Sequence, residues 1–200
     1  MTENPILIVM ALEVEAQGLF RARGADVLFT GIGKVNATYQ LTRRLAVERA
    51  LGQKPLVVNL GTAGSRHFKR GSTVACRTFV QRDMDVTGLG FPLGHTPFEN
   101  NVPAELTFPE YFPELPHARC GSGDRFEAHA EALLWDVIDM EAYAFAKVCF
   151  LEGLPFACVK YITDGADGTA GVDWHANLPA AAGQFVSVYE ELLARRATRR

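Results

Sequence analysis

The chain has 200 residues, of which 48% are hydrophobic and 22% are charged, and it carries a formal net charge of -3. This length and composition are typical of a domain that builds its core without disulfides or metals, so we expect a single domain over residues 1–200. The mildly acidic charge excludes a general nucleic-acid surface, and the apolar run near the N-terminus, PILIVMALEV, is too short to span a membrane.

Strand-like and helical patterns alternate through the first third of the chain. The apolar run PILIVMA is followed by the short amphipathic EVEAQGLF, the strand-like ADVLFTG, the long helical KVNATYQLTRRLAVERALG and the strand-like PLVVNLG. Runs that are apolar throughout indicate strands buried on both faces. This β-α-β-α-β order predicts a parallel or mixed sheet that is covered by helices.

The rest of the chain continues the same pattern after a less regular middle. STVACRTFVQRDMDV is strand-like and leads into a loop region rich in Pro, Gly and aromatic residues. Order then returns with the strand WDVIDM, a helix over 141–151, the strand LPFACVKYITD and an amphipathic helix that begins near Leu178. No internal repeat or linker divides the chain, so we predict one α/β domain.

Several common kinds of site have no sequence support. The four cysteines are far apart and sit in apolar runs, which indicates reduced core thiols of a cytoplasmic protein, and the five histidines lack metal-ligand spacing. GIGKVN lacks the third glycine of the dinucleotide fingerprint, and a tight strand-to-helix turn explains it equally well. We therefore expect no metal and no cofactor. GIGKVN is the only segment that would support the alternative of an NAD-dependent oxidoreductase.

Acidic residues stand at three of the six predicted strand ends, where ligands collect in sheets of this kind. Glu13 and Glu15 follow the first strand, Asp139 and Glu141 follow WDVI, and Asp164 ends a later strand. Each acid alone is also explained by helix capping or by the helix dipole. Together they predict a carboxylate-lined pocket for a neutral, hydroxyl-rich ligand, because a carboxylate can accept two hydrogen bonds from a vicinal diol such as that of ribose.

Seven segments of the chain, in order, resemble the motifs of one enzyme family. They are ALEVEAQGL, TGIGKVNAT, NLGTAGS, DMDVTGLGF, GSGDRF, IDMEAYAFAKVC and KYITDGAD. Their order and intervals are similar to those of the 5'-methylthioadenosine/S-adenosylhomocysteine nucleosidases, within the nucleoside phosphorylase/hydrolase family. The resemblance extends from Ile6 to about Asp167.

The resemblance implies a fold and an activity. The fold is a three-layer αβα sandwich with a central mixed β-sheet. The activity is hydrolysis of the N-ribosidic bond of a 5'-thio-substituted adenine nucleoside to adenine and the thioribose. A homodimer is implied, with a small purine nucleoside as the ligand and with neither nucleic acid nor membrane as a partner.

Site residues follow from the resemblance position by position. Glu15 matches the acid that activates the attacking water, and Asp164 matches the acid that protonates N7 of the leaving purine. Met140 and Glu141 match the ribose-binding pair, with Glu141 on the 2' and 3' hydroxyls. The other substrate-binding positions are Thr62, Ala63 and Gly64 beside the ribose and the water, Phe126 stacked on the base, and Asp139, Lys160 and Thr163.

The two-carboxylate chemistry of inverting glycoside hydrolysis agrees with these placements. The apolar run FACVKYI before Asp164 predicts a partly buried site, which would favour the protonated acid. Asp139 and Lys160 stand where this family usually has a glutamate and an arginine, and the chain is shorter than is usual over 97–120.

Three alternatives remain open from the sequence. A phosphorylase needs arginines to hold its anion, whereas ALEVEA offers two carboxylates and no arginine, which favours water as the nucleophile. A related hydrolase with another 5' group, such as a futalosine hydrolase, would use the same motifs. A nucleoside-binding relative without turnover would need neither Glu15 nor Asp164.

Overall fold

The computed structural model describes residues 4–125, 134–166 and 170–198 of the chain. The strands in these ranges are β1 (Ile6–Met10), β2 (Val27–Phe29), β3 (Leu56–Gly64), β4 (Thr73–Gln81), β5 (Glu105–Thr107), β6 (His117–Ser122), β7 (Val137–Asp139) and β8 (Phe156–Asp164). The α-helices are α1 (Glu13–Ala16), α2 (Lys34–Ala50), α3 (Ala142–Glu152) and α4 (Ala170–Thr198), and short 3-10 helices span Arg21–Arg23 and Thr87–Leu89.

The eight described strands form one mixed sheet. β1 lies between β2 and β3 and is parallel to both. β8 pairs in parallel with β3 along its length and antiparallel with β4, while β4, β6 and β7 are successive parallel neighbours. β7 returns to β3 through an antiparallel pair between Gly64 and Ile138. Five strands (β3, β8, β4, β6 and β7) therefore close into a ring beside the open β2-β1 edge.

Side chains alternate across this sheet and bury two separate helix layers. On β1, Leu7 and Val9 belong to the core that includes α2 and α3. Their neighbours Ile8 and Met10 point the other way, into the core that includes α1 and α4. This period of two is what a strand buried on both faces requires. The predicted three-layer αβα sandwich with a central mixed β-sheet is confirmed.

Two helices differ in length from the sequence prediction. α1 has a single turn, because Gln17 and Gly18 adopt left-handed backbone angles (φ 47° and φ 69°) that end the helix within the predicted EVEAQGLF segment. α4 begins at Ala170 rather than near Leu178. Its first turns carry polar and aromatic residues instead of an apolar stripe, so periodicity detects the helix only from Leu178 onward.

All four cysteines are free and buried, as their apolar surroundings indicated. Cys76 on β4 lies directly opposite Cys158 on β8 in the antiparallel pair. Burial raises the pKa of Cys76, and it raises the pKa of Cys149 as well. Among the residues described, no helix is long and apolar enough to cross a membrane.

Candidate active site

The strand ends bring the predicted acids together around one cleft. A cavity of about 260 Å³ opens at the carboxyl ends of β1, β3, β7 and β8. Ten of the sequence-predicted site residues line it: Glu15, Thr62, Ala63, Gly64, Asp139, Met140, Glu141, Lys160, Thr163 and Asp164. Phe126 lies outside the described residues. Glu13, the remaining acid at these strand ends, is exposed and does not line the cleft.

Glu15 is buried, and three donors surround its carboxylate. Oε1 accepts the backbone N–H of Thr62 at 3.0 Å and the Thr62 hydroxyl at 2.8 Å. Among the residues that the structure describes, Oε2 accepts only the backbone N–H of Leu12, at 3.2 Å. Because a carboxylate oxygen has two lone pairs, Oε1 is saturated by Thr62, whereas Oε2 keeps one position for a further donor. The second oxygen is therefore the one that can take a proton from a water in the cleft.

Asp164 ends β8 and lies close to the backbone of β3. Its Oδ2 accepts the Thr163 hydroxyl at 2.8 Å, and its Oδ1 accepts the Ala166 N–H at 2.9 Å. A Cβ placed on Gly64 would lie 2.6 Å from Oδ1, so the strand beside the acid must have a glycine at this point. Thr163 therefore orients the carboxyl group, and Gly64 leaves space for it.

Asp139 and Lys160 form a buried ion pair at the floor of the cleft. Lys160 Nζ lies 2.7 Å from Asp139 Oδ2, and the same carboxylate caps α3 by accepting the Ala142 N–H at 2.9 Å. Burial opposes both charges, but the pairing outweighs it, so the pKa of Asp139 is lowered and the pKa of Lys160 is raised well above its usual value. Ser122 also donates its hydroxyl to Asp139. Both residues therefore stay ionised at neutral pH.

Glu141 has a different electrostatic environment from its neighbour. Burial and the negative charge of Asp139 raise the pKa of Glu141 to about 8, against the opposing effects of Lys160 and of the Gly33 N–H. That N–H donates to Glu141 Oε1 at 2.8 Å from a residue 108 positions away in the chain. The charge of Glu15 adds to the upward shift. Within the described ranges, Glu141 thus accepts one backbone hydrogen bond, on Oε1, and its second oxygen can contact a ligand.

The GIGKVN turn holds the Gly33 amide in place. Gly33 has a left-handed backbone (φ 91°) that strongly favours glycine. The next residue, Lys34, donates its backbone N–H to Asp124 Oδ1 at 2.8 Å, and its ammonium lies 2.9 Å from Asp124 and 2.7 Å from Asp83. In the structure this segment forms the turn between β2 and α2, and it also contributes a backbone donor to the cleft.

Several residues that line the cleft were not predicted from the sequence, among them Trp174, Arg82 and Arg125. Trp174, near the start of α4, donates its indole N–H to the Thr62 hydroxyl at 2.9 Å. Arg82 and Arg125 follow β4 and β6 and also line the cavity. Arg125 falls within the family-like segment GSGDRF, whereas Arg82 falls within the strand-like STVACRTFVQRDMDV, which gave no signal of a site. Trp174 follows a turn-rich stretch and has no apolar periodicity around it.

The described residues do not form a metal-binding site. Within 4–125, 134–166 and 170–198 there is no group of three or more His, Cys, Asp or Glu side chains placed to hold a metal ion. The cleft instead offers acid, base and hydrogen-bond acceptor functions from carboxylates. Such a set suits proton transfer to and from a neutral ligand.

Comparison with known proteins places the chain among nucleosidases. The family model described as Phosphorylase superfamily matches residues 120–195. A 5'-methylthioadenosine/S-adenosylhomocysteine nucleosidase of Actinobacillus succinogenes is 32% identical, over 96% of this chain and 89% of that protein. A protein of the same description from Haemophilus influenzae is 29% identical, over 93% and 88% of the two chains.

Solved structures show the same fold. A Helicobacter pylori nucleosidase variant with 5'-methylthioadenosine in its active site matches with a TM-score of 0.83 at 20% identity, over 97% of this chain and 100% of that one. Futalosine hydrolase of Helicobacter pylori matches with a TM-score of 0.82 at 21% identity, over 96% and 98%. At these identities the structures establish a common fold.

Proposed function

The chain belongs to the 5'-methylthioadenosine/S-adenosylhomocysteine nucleosidase family, and from that premise we propose that it hydrolyses the N-ribosidic bond of methylthioadenosine or S-adenosylhomocysteine to adenine and the thioribose. The main support for this proposal is that Glu15, Glu141 and Asp164 all line one cleft of about 260 Å³. A purine ribonucleoside needs an acid at its base, an acceptor for its diol and a base for the attacking water. Three strand ends supply these three groups.

Glu15 and Asp164 would carry the proton transfers. Cleavage of an N-glycosidic bond passes through an oxocarbenium-like transition state, so the departing purine needs a proton and the incoming water must lose one. Glu15 Oε2 is the unsaturated oxygen and would polarise the water. Asp164, oriented by Thr163, would donate its proton to N7 of the purine.

Glu141 and Met140 would bind the ribose. Glu141 would accept the 2' and 3' hydroxyls while the Gly33 N–H holds its Oε1. Thr62, Ala63 and Gly64 form the small edge of β3 on which a flat ligand could lie, because all three line the cleft and two of them have very short side chains.

The Lys160–Asp139 pair would set the charge of the cleft. Lys160 neutralises the charge of Asp139 at 2.7 Å, so the negative charge that acts on the ligand comes from Glu15, the proposed base. A positive ribosyl centre that develops in the transition state is stabilised by such a fixed field.

Hydrolysis, rather than phosphorolysis, is favoured by the environment of Glu15. A buried carboxylate at the position of the nucleophile repels phosphate and accepts a hydrogen bond from water. Arg82 and Arg125 also line the cleft, so the choice of nucleophile needs a direct test.

The test is to incubate the protein with methylthioadenosine in phosphate-free buffer and to follow adenine by chromatography. Glu15→Gln and Asp164→Asn are the test variants. Glu13→Gln is the matched control, because Glu13 lies in the same helical turn as Glu15 but is exposed. We expect adenine from the parent and the control and loss of release in both test variants.

Other outcomes would contradict the proposal in distinguishable ways. Release that requires phosphate would identify a phosphorylase. Tight binding of adenosine analogues without release of the base would identify a binder. Release from futalosine alone would identify a hydrolase with another 5' group.

We also propose a cytoplasmic homodimer that acts in methionine salvage. Four buried, free thiols agree with a reducing compartment. Val35 and Tyr39 on α2 and Leu89 and Phe98 in the loop after β4 are large apolar side chains exposed on the surface, which favours contact with a second copy. The thioribose product retains the sulfur from which methionine can be rebuilt.

A further inference from the structure

The indole of Trp174 is joined to Glu15 through a single hydroxyl group. Trp174 Nε1 lies 2.9 Å from Thr62 Oγ1, and Thr62 Oγ1 lies 2.8 Å from Glu15 Oε1. These three residues come from α4, β3 and α1. The chain of two hydrogen bonds therefore links three elements of the fold at the proposed base.

The direction of both hydrogen bonds follows from the chemistry of the groups. An indole N–H can only donate, so the Thr62 oxygen accepts from Trp174. An ionised carboxylate can only accept, so the Thr62 hydroxyl proton points at Glu15. Donation by the indole also polarises the hydroxyl and strengthens its own donation to Glu15.

Contacts on both sides of Trp174 hold the start of α4 in the position that allows its hydrogen bond to Thr62. Asn177 donates to the backbone carbonyl of Thr163 at 3.1 Å and to that of Asp173 at 2.8 Å. Arg70, in the connection between β3 and β4, lies 2.8 Å from Asp173. These contacts tie the residues on either side of Trp174 to the end of β8 and to the connection between β3 and β4.

We propose that Trp174 is a positioning residue for Glu15 and that it acts through the Thr62 hydroxyl. By fixing the Thr62 proton toward Oε1, the indole keeps that oxygen saturated and leaves Oε2 as the oxygen that activates water. The inference depends on the proposed function, in which Glu15 is the base. On this proposal, turnover depends on the indole N–H of Trp174 and not only on the size of its aromatic ring.

The first test is Trp174→Phe, which keeps an aromatic ring and removes the N–H. With methylthioadenosine as the substrate we expect kcat to fall about tenfold and KM to change less than about twofold, because the lost interaction positions a catalytic group rather than binding the ligand. His175→Ala is the matched control, because His175 is exposed and stacks edge-on against the Trp174 ring at 4.7 Å.

A double-mutant cycle separates action through Thr62 from a local packing effect. Thr62→Val removes the hydroxyl, and its kcat should fall further than that of Trp174→Phe. Adding Trp174→Phe to Thr62→Val should then change kcat less than about twofold. If kcat of the double variant instead falls by the product of the two single fold-losses, the inference is wrong.

An independent measurement does not depend on activity. The chain has two tryptophans, so a ¹⁵N-labelled sample shows two indole N–H signals. Thr62→Val should speed the hydrogen exchange of one of them and leave the signal of Trp135 unchanged. Unchanged exchange of both would overturn the proposal even if Trp174→Phe fails to fold.

The two levels of hypothesis fail in different ways. If the parent protein releases no adenine, the proposed function is wrong. If the parent is active and Glu15→Gln is not, but Trp174→Phe keeps the parent's kcat, only the role of Trp174 is wrong.

Discussion

The ammonium of Lys160 lies 2.7 Å from the carboxylate of Asp139, and these side chains are only 2% and 1% exposed. The two positions at which the sequence departs from the usual glutamate and arginine of the family are thus each other's ion partner. A shorter acid and a flexible lysine stem still bring the charges into contact. The pair also reaches α3, because Asp139 caps that helix.

We expect Lys160→Met to lower the free energy of unfolding by about 3–5 kcal/mol, because it leaves Asp139 buried and unpaired. Urea unfolding measures this change. Arg49→Met is the control, since the Arg49–Glu152 pair is exposed and should contribute less than about 1 kcal/mol. Equal losses in the two variants would contradict the assignment of a buried pair.

Glu141 gives the stability of the ligand-free protein a pH dependence. Its pKa in the folded state is about 8, above the usual value of a glutamate, so the folded chain binds more protons than the unfolded chain between about pH 5 and pH 8. Stability contributed by Glu141 is therefore complete at low pH and is lost as the pH rises through that window. Glu141→Gln should remove this loss and be more stable than the parent by about 2 kcal/mol at pH 9. Parallel pH curves from urea unfolding of the two proteins would refute this prediction.

Gly64→Ala tests the space that β3 leaves for Asp164. The new Cβ would lie 2.6 Å from Asp164 Oδ1 and 3.2 Å from the Cβ of Ala166, so the acid must move. We expect adenine release to fall at least about 100-fold, because small displacements of catalytic groups are costly. Gly183→Ala on α4 meets no atom within 4 Å and should raise stability by about 0.5–1 kcal/mol with unchanged turnover.

The proposed homodimer can be tested at the exposed face of α2. Val35 and Tyr39 are 78% and 57% exposed in one chain. Replacing both by glutamate should shift the sedimentation of the protein from dimer to monomer, since two charges would be buried without partners. Leu51→Glu, at the other end of the same helix and 67% exposed, should leave the assembly unchanged. A parent protein that sediments as a monomer would rule out the dimer.

The order of most strands and helices and the acids at the strand ends could be predicted from the sequence, but β5 and β6 lie in the segment that was predicted to be a loop. Apolar runs and turn residues are local signals. Glu15 lies in the helical turn after β1, Glu141 directly precedes α3, and Asp164 is the last residue of β8. The seven family-like segments then placed these acids at one site. The cleft of the structure contains them all.

Contacts between distant segments could not be predicted in this way. The Gly33 amide and Glu141 are 108 positions apart, and Trp174 and Thr62 are 112 positions apart. Each contact depends on the angle at which two elements meet, which no periodicity encodes. The ion pair of Lys160 with Asp139 was missed for a similar reason, because β8 and β7 meet only across the ring of strands.

The place of β8 in that ring has a consequence for how the protein is made. β3 and β4 both pair with β8, and the partners in the β3–β8 ladder, such as Val57 and Phe156, are about 100 positions apart. During synthesis the edges of β3 and β4 stay open until the ribosome has released the segment Phe156–Asp164, and open edges invite pairing with other chains. Because non-local pairings close slowly, we expect closure of the ring by β8 to be a slow step in folding.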